Sequence, residues 1–313
     1  MQRFTIYISM LLLAVPAFAA EPDWRDCRQF MNATLAVAAC GRLIDESSGD
    51  KSTGKESTDT IAEAYANRGF AYFRNGNVKQ AMTDYDEALR RNPKLAAVYQ
   101  YRGLAYLSQH DNDRAIAEFG KGIELDPKDA MLRLGRASAY SLKGQVKLAM
   151  ADYDAAIASD PKNFLPLTMR GIAYYYSNTP EKARDDFARA AAIAPMDYMA
   201  PIWLHIAERR LGLKSQLAIT AQRFDMKRWP APLMRLFLGE LTPEALLAPD
   251  QPDLARNPSL ICDHSFYAGE FMSLRGNKQE AQRLFEAAEH ACPPYFTEGV
   301  AANAALRSLG KTN

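Results

Sequence analysis

Between residues 62 and 197 the chain alternates small and bulky apolar positions at a constant interval. Small residues recur where two helices have to approach closely: Gly69, Ala81 and Ala88; Gly103, Ala115 and Gly122; Ala137, Ala149 and Ala156; Gly171, Ala183 and Ala190. Large rings stand between them: Tyr72 and Tyr85, Tyr106 and Phe119, Tyr140 and Tyr153, Tyr174 and Phe187. Each set closes on a proline, at 93, 127, 161 and 195, which lacks an N–H and stops the second of two helices. The midpoints NGN, HDND, KGQ and SNTP supply turn chemistry. The interval is 34 residues, so four helical hairpins are predicted, at 62–95, 96–129, 130–163 and 164–197, with no insertion between them.

The pattern returns once. Gly269, Ala281, Phe285, Ala288 and Pro293 repeat the first unit at an offset of 200, which predicts a fifth unit at 262–295 and a closing helix within 296–313. Residues 198–261 between them read as an irregular helical insert punctuated by prolines, with Thr242 as a cap and Pro243 in a first turn. Ahead of the array, 20–45 reads as a short helical hairpin and 46–61 as a polar linker.

This 34-residue pattern of glycine, tyrosine, alanine, a second ring, alanine and proline resembles the tetratricopeptide repeat. The resemblance implies an all-α right-handed superhelical solenoid of helix-turn-helix units, in which one unit cannot bury its apolar face alone. It also implies an inner, ligand-holding surface at fixed positions of each first helix. Those positions hold Phe70, Phe73 and Arg74; Gln100, Leu104 and Leu107; Met131 and Leu134; Thr168, Ile172, Tyr175 and Tyr176. Apolar and aromatic residues dominate, and the basic and amide side chains of the familiar tail-binding clamp are missing. Two occupants stay open: an apolar or amphipathic peptide, or the chain's own residues 198–260 folded back. The last third of the chain is in addition similar to NlpI-type envelope repeat proteins, although the lipid-anchoring cysteine of that type is absent.

An arginine precedes the landmark glycine or alanine in every tandem unit, at 68, 102, 136 and 170. If each hairpin turns near its fifteenth residue, the facing positions are Asp84, Glu118, Asp152 and Asp186. Four intra-unit ion pairs are therefore expected, each guanidinium meeting a carboxylate while its stem packs on rings. A ladder for phosphates is the weaker reading, since a paired arginine has little charge left to offer.

Charge narrows the function classes. The 313 residues carry 38 basic and 37 acidic side chains, which disfavours a nucleic-acid partner. The amino terminus has a basic start, an apolar run to about Val15 and Ala17-Phe18-Ala19, read as a secretory signal over 1–19. That run is too short for a comfortable membrane span, so no stable membrane insertion is expected. In an exported, periplasmic chain four cysteines predict disulfides, and symmetry about the two hairpin turns pairs Cys27 with Cys40 and Cys262 with Cys292. The rival reading makes Cys262, His264, His290 and Cys292 a zinc site. A loose phosphate-loop match at Gly49–Lys55 lacks the hydroxyl residue and a preceding strand. No catalytic motif occurs, and neither a cofactor nor a resident metal is expected. The sequence reads as a non-enzymatic periplasmic scaffold or adaptor for other envelope proteins or peptides, cell-wall hydrolases or a protease among them, with a homodimer allowed. Its alternatives are a small-ligand or glycan-strand binder, or a metal-dependent enzyme using the insert.

Overall fold

The computed structural model describes residues 22–28, 32–49, 58–248 and 260–310. The signal sequence read at 1–19 lies outside them, as do residues 50–57 of the segment read as a linker. Seventeen helices and no strand are present among the described residues. They form two compact units, 1–93 and 94–313.

In the first unit, α1 (Pro22–Arg28) and α2 (Ala33–Gly49) are tied by a Cys27–Cys40 disulfide over a small core of Ala39 and Leu43, with Trp24 at its edge. α2 runs to Gly49, so residues 46–49 of the segment read as a linker are helical. α3 (Thr58–Arg74) and α4 (Val78–Arg91) make the first repeat hairpin. Gly69 is needed there, because a Cβ at that position would meet the Tyr85 ring at 2.6 Å. Arg28 also reaches across to Glu63 of α3 at 3.0 Å.

The second unit begins with three further hairpins: α5 (Ala96–Ser108) with α6 (Asn112–Leu125), α7 (Ala130–Leu142) with α8 (Val146–Ser159), and α9 (Phe164–Tyr176) with α10 (Pro180–Ile193). Asp111, Asp129 and Asn163 cap α6, α7 and α9 through side-chain oxygens that accept main-chain N–H groups. Each second helix then packs on the first helix of the next hairpin, α6 on α7 and α8 on α9. Phe187 lies 2.6 Å from where a Cβ on Gly171 would stand. Gly171→Ala is therefore expected to destabilise by about 1–3 kcal/mol, read as a lower urea midpoint.

The insert continues the stack before it breaks. α11 (Met199–Arg210) packs on α10 as a further first helix would, and its Trp203 is fully buried. That indole stacks on Phe187 at 5.4 Å and meets Phe266 at 5.6 Å, joining the fourth repeat to the later hairpin. Three short helices follow: α12 (Leu217–Ala221), α13 (Ala231–Leu238) and α14 (Pro243–Leu246). The last regular hairpin is α15 (Ile261–Leu274) with α16 (Lys278–Ala291), and α17 (Thr297–Ser308) ends the described chain. A Cys262–Cys292 disulfide joins the start of α15 to the end of α16. No described helix is long and apolar enough to cross a membrane.

Candidate interaction face

The recurring arginines occupy one position in every tandem hairpin. Arg68 donates from Nε and Nη2 to the two oxygens of Asp84 at 2.7 and 2.8 Å, Arg136 to Asp152 at the same distances, and Arg170 to Asp186 at 2.7 Å twice. Hydrogen bonding to the carboxylate, opposed by burial, raises the proton affinity of all three guanidiniums above the ordinary arginine value. Tyr72, Tyr140 and Tyr174, four residues on, receive the guanidinium carbons at 5.9–6.0 Å from the ring centroids. The second unit departs in detail: Arg102 stands 3.3 Å from Glu118, whose other oxygen accepts from Lys121 at 3.1 Å. In the last hairpin the pair is replaced by Ala268 and Leu284, both buried.

The residues read as an inner face fall into three settings. In the first unit Phe70 is half-buried, Phe73 is buried and Arg74 is exposed, with the two rings 6.3 Å apart. At the start of the second unit Gln100 and Leu104 are half-buried, Leu107 is buried and Met131 is 41% exposed. Further along, Leu134, Thr168, Ile172 and Tyr175 are all buried, and Tyr176 is half-buried.

What covers this third group is the chain itself, and the covering segment is not 198–260 as a whole. α17, read from sequence as closing the fifth hairpin, packs on α16 and also lies against α7 and α9. Its Val300 and Ala304 share the walls of a cavity of about 210 Å³ with Met169 and Ile172. Its Arg307 donates to the carbonyl oxygens of Leu142, at 2.8 Å, and Ser141. Those carbonyls lie at the C-terminal end of α7, where a cation is favoured. Tyr295, just before α17, packs on the cluster that contains Leu107. Tyr176 is held from another side, donating its hydroxyl to Glu270 of α15. Burial pushes the Glu270 carboxyl up to about 7.

The covering helix is rooted beside two acids, Glu298, which is buried, and Asp263, which is half-buried. Glu298, in the first turn of α17, accepts from the Tyr267 hydroxyl at 3.3 Å, and Asp263, in the first turn of α15, from Tyr198 at 3.5 Å. Burial raises both carboxyls, and the Asp263 charge raises Glu298 further. The folded protein therefore keeps protons that the unfolded chain has already released. Stability from this pair is full below the ordinary carboxylate range and is lost as pH rises through the raised values. Urea midpoints are expected to fall from pH 5 to pH 8, and Glu298→Gln is expected to flatten that slope.

The Cys262–Cys292 disulfide takes up both thiols of the proposed zinc set, and His264 is buried beside Trp229 while His290 is exposed. Among the described residues no three His, Cys, Asp or Glu side chains gather as metal ligands would.

Residues 62–95 match one family model of the tetratricopeptide repeat, and residues 102–164 match a second. The chain carries tetratricopeptide repeats. Neither model extends past residue 164, so the similarity of the last third to NlpI-type proteins gains no support from them. No curated protein matches the sequence significantly. Among solved structures, a Pseudomonas aeruginosa pilF protein is 12% identical with a TM-score of 0.51, over 76% of this chain and 95% of that one. A type IV pilus biogenesis factor, PilW, is 19% identical with a TM-score of 0.49, over 76% and 96%. A first repeat domain of Spaghetti (RPAP3), bound to an HSP90 peptide, is 28% identical with a TM-score of 0.36, over 37% and 93%. At 12% identity the first of these likenesses is one of fold.

Proposed function

We propose that the protein is an exported, non-enzymatic scaffold whose tetratricopeptide repeats hold a segment of another cell-envelope protein. The observation that carries this reading is the seating of α17. Repeats that bury an alanine-rich helix against α7 and α9, and accept its Arg307 at the C-terminal end of α7, present a face suited to an amphipathic segment. That part of the face is taken, so the partner is assigned to the less covered positions of the second unit, Leu104 and Met131. Export is supported by the signal-like start and by two disulfides, which persist in oxidising compartments. A periplasmic location and recruitment of a hydrolase or protease belong to the same proposal.

The test places a photo-cross-linking amino acid at Met131 or Leu104 in cells, with Leu148, 49% exposed on a second helix, as control. Adducts with one envelope protein from 131 and 104, absent from 148, are the expected result. Equal adducts from all three positions, or none, contradict it.

A further inference from the structure

Two cavities, of about 510 and 640 Å³, open in the second unit and share Arg209 and Leu274 in their walls. The first is lined further by Lys214 and Arg275, and the second by Arg210 and Lys278. Five cations thus face one cleft, with no carboxylate in its lining. Arg209, Lys214, Arg275 and Lys278 are exposed, and none has a carboxylate within ion-pair distance among the described residues. Arg210 is held in place by the Tyr175 carbonyl at 3.3 Å, Asn178 at 3.1 Å and the Tyr175 ring at 4.6 Å. Glu270, whose carboxyl feels the Arg210 charge, is buried beneath Tyr176 and is pushed up to about 7 by that burial.

Cations gather at helix C-termini for a plain reason, since each end carries about half a negative charge. Here α9, α11 and α15 end at the cleft, which accounts for roughly one and a half of the five charges. The excess stays unbalanced. Lys278 moreover is the first residue of α16, where the helix dipole opposes a cation. The cleft also has apolar walls, Phe237, Phe271 and Phe285 beside Leu274. Its volume is that of a ligand several times larger than a phosphate. Rings among cations suit carboxylates carried on a chain with an apolar side group.

We infer that this cleft binds an acidic peptide segment bearing an aromatic residue, at a site that borders the inner face at Tyr175 and Tyr176 but takes its cations from outside the tandem repeats. It stands whether or not that face takes a partner, because its cations come from α11, the segment 211–215, Arg275 and the first residue of α16.

Fluorescence anisotropy of the disulfide-intact mature chain with a labelled Gly-Glu-Glu-Phe-Glu-Glu peptide tests it. Expected are saturable binding that weakens with salt, a loss of at least tenfold in R209E/K214E, and no change in K147E on the exposed face of α8. The lysine and arginine are exposed, so circular dichroism is expected to be unchanged; R275Q/K278Q, which adds no charge, is expected to weaken binding in the same direction. The inference is overturned by absent binding, by equal binding in R209E/K214E, by equal binding of the glutamine counterpart peptide, or by pyrophosphate competing at the same concentration as the peptide.

Discussion

Arg68→Ala is expected to destabilise the protein by about 3–5 kcal/mol, because Asp84 stays behind, 4% exposed, without its cation. No other cation lies within ion-pair distance of Asp84 among the described residues. The equivalent changes at the third and fourth units leave their acids better provided: Arg133 stands 3.8 Å from Asp152, and Arg189 stands 3.7 Å from Asp186. Arg136→Ala and Arg170→Ala should therefore cost less than Arg68→Ala, an order that chemical denaturation can read directly. The last hairpin shows the escape, with Ala268 and Leu284 where the others carry the pair. An R68A/D84L double variant, made in that image, is expected to recover most of the loss, since apolar replacement of a buried pair is often neutral. A loss below about 0.5 kcal/mol for Arg68→Ala would mark the pair as an ordinary surface contact.

Opening Cys262–Cys292 is expected to cost about 4 kcal/mol, and opening Cys27–Cys40 about 3, on the loop-closure dependence of disulfide stabilisation. The separations are 30 and 13 residues. The larger loss has the wider consequence, because Cys292 ends α16 just before the segment that carries Tyr295 and α17 onto the repeats. Urea denaturation of Cys292→Ser and Cys27→Ser variants separates the two contributions. A Cys292→Ser midpoint equal to wild type would show that the α15–α16 hairpin closes without its bond.

The tandem hairpins were legible because their chemistry is local and periodic. A ring needs a small residue opposite it, a helix needs a stop, and both needs recur every 34 residues. α11 was hidden by the same logic. One period beyond Arg170 and Gly171 stand Leu204 and His205, so the landmark is gone although the helix packs on α10. Leu217 and Phe224 stand one period beyond Ala183 and Ala190, and where small residues are missing the second helix shrinks to the five residues of α12.

The occupancy of the inner face was less legible still. Nothing in the composition of Thr297–Ser308 says which surface it covers, and Arg307 finds its partners in main-chain carbonyls, which leave no mark in the sequence. The buried carboxyls Glu270 and Glu298 likewise look like surface residues of amphipathic helices until tertiary packing encloses them. The basic cleft escaped for a related reason. Arg209, Lys214, Arg275 and Lys278 are scattered over two segments that only the return of α15 brings together.

Hydroxyl-radical footprinting of the unmodified protein tests most directly whether the C-terminal helix occupies the inner face. Two methionines serve as internal probes: Met131 of that face, 41% exposed, and Met169, 3% exposed and sharing a cavity wall with Val300 of the covering helix. Rapid oxidation of Met131 with strong protection of Met169, the protection lost in Leu306→Asp while helical circular dichroism is retained, is the expected result. Oxidation of both methionines at similar rates in the wild-type protein would contradict it, and would return the whole inner face to its partners.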